Sequence, residues 1–527
     1  MDIIGEESVR SIIRKQFIQD DIRSASKRIL DVQVVSPYNI DQVGATDDRY
    51  KTLERIVEKV REHYREPPRD SPQSNRSDLA SGTAPCLPSP AVISDHWLLC
   101  VPNSIRNHER DVVNYLGMVV AIDFRHWVEE IPTGPNVRTD VNSDTAEAAV
   151  GTEVKGFTGF YTTVSHNDLF SSNAESQHAQ LAEKVYPMME SKRSTLLRGS
   201  VAMIYLLRRA VELYNIPWYS PEYLAQFSSV QDAKEALRLC FLGCREDAVT
   251  PLWMPATDER VELLLSLSQA LREKQTSFYD ILCACSGFIF KPRVPLSTEV
   301  DSLPCSSSPP AGFISHLLEL HPRYHDVACH STASGDIRIP VLKLSQLTVL
   351  ALSQALPALW RFRGQSGLPL VSEGFSQPAW IRRIASAYHS LQSDESPPLF
   401  KDLAQLSVCC DYQIPRALRD AGLLVYADRL SDLVDRGVLL QAGGRDEGAI
   451  RLGALLATEL LIDYLNERFF DTLKTKENDN ACTSSGLAQV GTNSVGIQAL
   501  DYALWYVGRY PSAGSESRHH LCRTIMY

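Results

Sequence analysis

LAQLSVCCDYQIPRALRDAGLLVYADRL, residues 403–430, is the stretch on which the fold turns. An apolar run leads into Asp411-Tyr412, and Pro415 then opens a short segment, PRALRDAG, that Gly422 closes. Proline suits the first turn of a helix and keeps the residue before it extended, so Ile414 is expected to be extended. Asp411 and Tyr412 then fall in the turn just before a helix start. A carboxylate there feels the positive end of the helix dipole, which favours its ionised form at neutral pH. Residue pattern alone leaves two roles open for Asp411: a capping or turn residue, the commoner of the two, or a reactive carboxylate.

Helical patterning extends outward from this stretch in both directions. ADRLSDLVDRGVLL (427–440) and AIRLGALLATELLIDYLNERF (449–469) follow it, and SVAMIYLLRRAVELY (200–214), RVELLLSLSQALREK (260–274) and IPVLKLSQLTVLALSQAL (339–356) precede it. Their apolar residues recur close to every 3.6 positions. Strand-like segments are scarce, with DHWLLCVP (95–102) and NYLGMVVAIDF (114–124) the best cases. The fold class is therefore mainly α, with a few short strands.

Polar or Pro/Ser-rich runs separate these segments at 66–95, 130–150, 165–195, 295–312, 363–398 and 475–495. They hold too little apolar surface to offset the entropy of ordering and read as mobile loop insertions. A chain of 527 residues has room for several domains, yet this alternation fits one helical domain carrying insertions. The 53 Lys and Arg against 64 Asp and Glu leave a formal charge of −11, which argues against affinity built on many nucleic-acid phosphates. No signal-peptide core or 18-residue uncharged stretch is evident, so a soluble intracellular protein is expected. The 12 cysteines are too sparse for a disulfide scaffold and lack paired zinc-ligand spacing; Cys240/Cys244, Cys283/Cys285 and Cys409/Cys410 read as reduced, buried thiols.

Other polar residues break apolar surroundings. Lys343 and Gln346 share one face of a helix, and a lysine so placed either snorkels to solvent, the commoner outcome, or points into a polar cavity. Asp123, Phe124 and Trp127 close an apolar stretch with rings beside a hydrogen-bonding group, as do Asp501 and Trp505 in DYALW (501–505); such groupings suit a flat heterocycle or an ordinary core rim. His519 and His520 could face an anion or merely solvent. Arg451 and Glu459, eight residues apart on one helical face, read as a structural ion pair. No phosphate-binding glycine loop, zinc helix or nucleophile elbow is present.

At DYQIPRAL the sequence resembles the queuosine salvage family, the queuosine 5′-phosphate N-glycosylase/hydrolases, whose pattern is Ala-Asp-Tyr-Arg-Val-Pro followed by Leu, Gly and Tyr-Ser. Further similarities keep the family's order. They are VNYLGMVVAIDFRHW (113–127), with Phe124 and Trp127 retained; RGSVAMIYLLRRAVELYNIPWYSPEYL (198–224); HPRYHDVA (321–328); and VLKLSQL (341–347), with Lys343 and Gln346. DEGAIR (446–451) with Glu459, ALDYALW (499–505) and HLCRTIMY (520–527) complete the series. Leu344 and Gln413 stand in place of arginines, Ala449 of a glutamate, Arg416 of an amide and Met526 of a tyrosine, so lost charges alter either surface pairs or the ligand.

The resemblance implies hydrolysis of the N-glycosidic bond of queuosine 5′-monophosphate, releasing queuine for reuse in tRNA modification, on a fold similar to helix-hairpin-helix DNA glycosylases. Such a reaction builds positive charge on the ribose, which a fixed carboxylate can stabilise, and Asp411 takes that role. Tyr412, Phe124 and Trp127 are the candidates for packing on the base, Asp123 or Asp501 for hydrogen bonds to it, and Lys343 for the phosphate or for Asp411. Trp505, Arg416 and His520 complete the expected substrate-binding set. The expectation is a cytoplasmic monomer acting on a small-molecule substrate, with no metal, no cofactor, no direct nucleic-acid contact and no membrane. A helical binding or scaffold member that has lost hydrolysis is the alternative.

Overall fold

The computed structural model describes residues 7–18, 27–64, 97, 98, 100–130, 150, 151, 153–157, 159–164, 195–290, 311–332, 335–371, 376–390, 397–471, 495–512, 515 and 517–527. The Arg445–Asn466 helix is its axis. From Glu447 onward nearly every residue of that helix is buried, the mark of a helix enclosed on all sides. Around it pack the Val9–Phe17 helix, the Val32–Val34 strand, the Gln413–Asp420 helix and the Val327–Thr332 strand. The Lys343–Gln365 helix lies against Glu109–Ala121 and Ala379–His389, and the Ile497–Arg509 helix against Gln413–Asp420 and Asp48–Tyr64. Buried apolar residues from Val9 to Val507 form one contiguous core. A smaller cluster joins Trp127, Val154, Tyr412, Leu439, Leu521, Cys522 and Tyr527.

The described strands are short. Lys27–Ile29, Val32–Val34 and Leu424–Tyr426 form an antiparallel sheet in that order, which ties the segment after Gly422 to the start of the chain. Val327–Thr332 pairs with Gly335–Pro340 in a hairpin whose end pair, Val327 with Pro340, brings Asp326 beside Val341. Leu439–Leu440 runs parallel to Leu521–Cys522 and fastens the last residues to the body. The fold is mostly helical, and no described helix is long and apolar enough to cross a membrane.

Several expectations need correction. NYLGMVVAIDF is not a strand: Glu109–Ala121 is a helix buried almost all round, and a run apolar on every side carries no period to tell the two apart. In 95–102 the described residues include a short helical turn at Trp97-Leu98 and no strand. The helix expected at 339–356 starts at Lys343, because Gly335–Pro340 is a strand, and runs on to Gln365. The 427–440 segment divides into the Asp428–Arg436 helix, Gly437 at φ +74°, and the Leu439–Leu440 strand. Part of the expected insertion 363–398 is ordered, as the Ala379–His389 helix. The run at 66–95, and nearly all of 130–150, 165–195, 295–312 and 475–495, lies outside the described residues. The nine described cysteines are free thiols, most of them buried.

Candidate active site

The motif helix spans Gln413–Asp420 and begins two residues before Pro415, so Ile414 is helical rather than extended. Proline is tolerated there because its missing N–H is one of those left unbonded at any helix start. The Asp411 carboxylate explains the early start: Oδ1 accepts hydrogen bonds from the Gln413 and Ile414 N–H groups at 2.7 and 3.2 Å. Asp411, one residue before the N-cap Tyr412, thus satisfies two of the N–H groups left unbonded at the helix start. Its second oxygen has no hydrogen-bond partner among the described residues. Burial raises the Asp411 carboxyl above its ordinary range, against Lys343 and the two N–H groups, and the Asp123 charge adds to the rise. The helix start therefore does not by itself secure the ionised form that the sequence suggested.

Lys343 is 4% exposed and does not snorkel. Its Nζ donates to the Asp123 carbonyl at 2.8 Å and lies 3.0 Å from Asp123 Oδ2. The segment that delivers it is anchored by Asp326. The Asp326 carbonyl accepts from the Val341 and Leu342 N–H groups, and its Oδ2 from the Lys343 N–H at 3.0 Å. Leu342 adopts φ +55° and Arg125, beyond Asp123, φ +41°; left-handed backbone is costly for such residues and tends to gather at functional sites. Gln346, one turn along, locks the other wall. Its Oε1 accepts from the Ser407 N–H at 2.8 Å and its Nε2 donates to Ser407 Oγ and the Val341 carbonyl.

Asp123 follows the end of the Glu109–Ala121 helix. His126 Nε2 sits 2.9 Å from its Oδ1. Burial opposes ionisation of Asp123, but Lys343 and His126 outweigh it and hold the carboxyl well below the usual range. Burial brings His126 down to about 4, so its ring is neutral at pH 7. Asp501, on the Ile497–Arg509 helix, accepts from the Cys409 N–H at 2.6 Å. Burial above all, reinforced by the Asp411 charge and only partly opposed by the Cys409 N–H and Lys343, pushes its carboxyl up to about 7. Three aspartates from distant parts of the chain thus share one charge field around one buried lysine, and all three keep part of their surface accessible.

The remaining candidates divide. Tyr412 and Trp127 meet in the smaller apolar cluster, and the Tyr412 ring lies 4.7 Å from that of His519. Phe124 belongs to the main core, its ring covered by the buried guanidiniums of Arg260 and Arg323 at 4.4 and 4.7 Å. That ring is engaged with cations rather than open to a heterocycle. Trp505 is half-buried one turn beyond Asp501, with the Arg509 guanidinium 5.5 Å from its ring. Arg416 lies on the motif helix, and its Nε donates to the Ser517 carbonyl at 2.9 Å. His520 is buried away from solvent, its Nε2 3.1 Å from the Tyr527 hydroxyl, and burial drives it down to about 3.

Arg451 and Glu459 do not pair with each other. Arg451 binds Asp326 through both terminal nitrogens at 2.6 and 2.7 Å and donates to the Cys410 carbonyl at 3.1 Å, while Glu459 accepts from Arg10 and Arg14. Asp326, His126, Arg260, Arg323 and Tyr527 were not singled out from the sequence. Asp326 stood within HPRYHDVA, yet its partners lie 17 and 125 residues away. Leu344, Gln413 and Ala449 are buried, so those departures from the family pattern remove interior charges rather than surface pairs.

Fold and site together define a mostly helical protein with a buried, lysine-centred cluster of carboxylates at the start of a short helix. The family model described as queuosine salvage protein matches residues 383–527, a stretch that contains Asp411, Arg451 and Asp501. The match covers the last part of the chain, which holds the DYQIPRAL motif, and supports the resemblance drawn from its motifs. No curated protein matches the chain.

Proposed function

We propose that the chain hydrolyses the N-glycosidic bond of queuosine 5′-monophosphate and releases queuine. The observation that carries this reading is Asp411: one oxygen is fixed by two backbone N–H groups, and the other is free to face a reacting atom. As the bond from ribose to base lengthens, positive charge develops on the sugar, and a carboxylate held in place needs no reorganisation to stabilise it. A water molecule then forms the new C–O bond at the anomeric carbon. Asp411 accepts its proton, and the departing base takes up a proton in turn, leaving ribose 5-phosphate.

Lys343 favours the ionised form of Asp411, and Asp501, with its carboxyl near 7, offers a neutral donor to the base while leaving Asp411 charged. Tyr412 and Trp127 form an apolar flank. The same reading carries the expectations of a helix-hairpin-helix glycosylase type of fold, of a monomer, and of cytoplasmic action on a free nucleotide.

The test is chromatographic detection of base release from queuosine 5′-monophosphate, the unphosphorylated nucleoside and a damaged-base duplex. Queuine from the nucleotide is expected; queuine from none of them supports the non-catalytic binding reading instead. Asp411→Asn is expected to lower release by at least ~100-fold while the nucleotide still raises the melting temperature. Wild-type turnover in that variant rejects the assignment.

A further inference from the structure

Beside Tyr412 the molecule gathers three arginines, none of them in an ion pair among the described residues. Arg416 lies on the motif helix, five residues beyond Asp411; Arg509 ends the Ile497–Arg509 helix; Arg198 ends the Thr195–Arg198 strand. Both the Arg198 and Arg509 guanidiniums stand 5.6 Å from the centre of the Tyr510 ring, and Arg509 also donates to the Arg198 carbonyl at 2.8 Å. Arg416 and Arg198 act on each other as like charges, and the acid acting on Arg416 is Asp420. Arg509 in turn acts on Tyr412, the neighbour of Asp411, and Arg416 on His519, whose ring lies against Tyr412.

Among the described residues none of the three arginines is ion-paired, in a chain with 64 acidic residues. Arg509 is 8% exposed and the other two are half-buried. Holding like charges together at this depth is unfavourable until an anion joins them. Guanidiniums suit a phosphate because their N–H groups match its oxygens in pairs.

We propose that Arg198, Arg416 and Arg509 form a subsite for a phosphomonoester dianion, carried by the nucleotide whose sugar faces Asp411. The proposal rests on the glycosidase reading for the identity of that nucleotide, but not for the binding of the anion. It gives Arg416, which replaces an amide in the family pattern, a role in substrate preference.

Two measurements on the full chain test it. Inorganic phosphate, against chloride at equal ionic strength, is expected to raise the melting temperature of the wild type and to lose that effect in Arg416→Gln and in Arg198→Gln. With queuosine 5′-monophosphate, Arg416→Gln is expected to raise KM about tenfold at unchanged kcat, a larger change than it makes for the unphosphorylated nucleoside. Equal changes for both substrates overturn the proposal, as does phosphate stabilisation that is absent from the wild type or undiminished in both variants. If the wild type releases base from neither substrate, the glycosidase reading fails, and the phosphate measurement alone upholds or overturns the subsite.

Discussion

At the scale of single residues, Asp501 gives the sharpest pH signature. Its carboxyl stands near 7 in the folded chain, against about 3.9 when unfolded. Between these values the folded state keeps a proton that the unfolded state has lost. The stability from this group is therefore present below about pH 4 and disappears as pH rises through 7. Urea unfolding at pH 5 and 7.5 should show Asp501→Asn gaining on the wild type, by on the order of 2 kcal/mol at the higher pH. In the proposed reaction, wild-type base release should fall as pH rises through 7, and a variant that keeps the same falling limb removes Asp501 from that role. Asp411 and Lys343 were legible in the sequence because each interrupts an apolar run at a motif position. Their relation to Asp123 was not: Lys343 and Asp123 are 220 residues apart, and only folding brings them together.

At the scale of elements, the approach of the motif helix to the Ile497–Arg509 helix depends on Gly508. A β-carbon there would run into the Gln413 carbonyl, which belongs to backbone and cannot swing aside. Gly508→Ala is expected to cost about 1–3 kcal/mol in urea unfolding, the usual penalty for overpacking, and to lower base release by more than the stability loss explains, because Asp411 and Asp501 ride on these two elements. A variant with wild-type stability and release would show that the helices can part without consequence. Most long helices were legible from period and length: most show the core a distinct face, and the Arg445–Asn466 helix, buried all round, comes from a run too long for a strand. The Glu109–Ala121 helix was not, because burial on nearly every side erased that contrast. The short strands were equally hidden: Leu439–Leu440 and Leu521–Cys522 are two residues each and acquire meaning only from each other.

At the scale of the whole molecule, Arg451 joins parts that are remote in the chain. It binds Asp326, donates to the Cys410 carbonyl beside Asp411, and lies 4.1 Å from the Tyr527 ring. Removing one partner of a buried ion pair leaves an uncompensated charge, and Arg451→Met is expected to lower the unfolding free energy by about 3–5 kcal/mol. Unfolding followed by fluorescence checks this. A double variant, Arg451→Met with Asp326→Leu, should recover part of the loss, and failure to recover any would mean that packing rather than charge sets the cost. The sequence placed Arg451 with Glu459 on spacing along one helix, whereas its partner lies on a hairpin 125 residues away.

Asp326 is the member of this network with two duties, since one carboxylate receives both Arg451 and the backbone N–H that starts the lysine helix. For inheritance the two residues amount to a single character. A chain that loses Arg451 alone leaves Asp326 and Glu447 buried without their cation, and one that loses Asp326 alone leaves Arg451 only the longer 3.4 Å pair with Glu447 and loosens the residue that neutralises the aspartates. Related chains are therefore expected to keep Asp326 and Arg451 together or to replace them together.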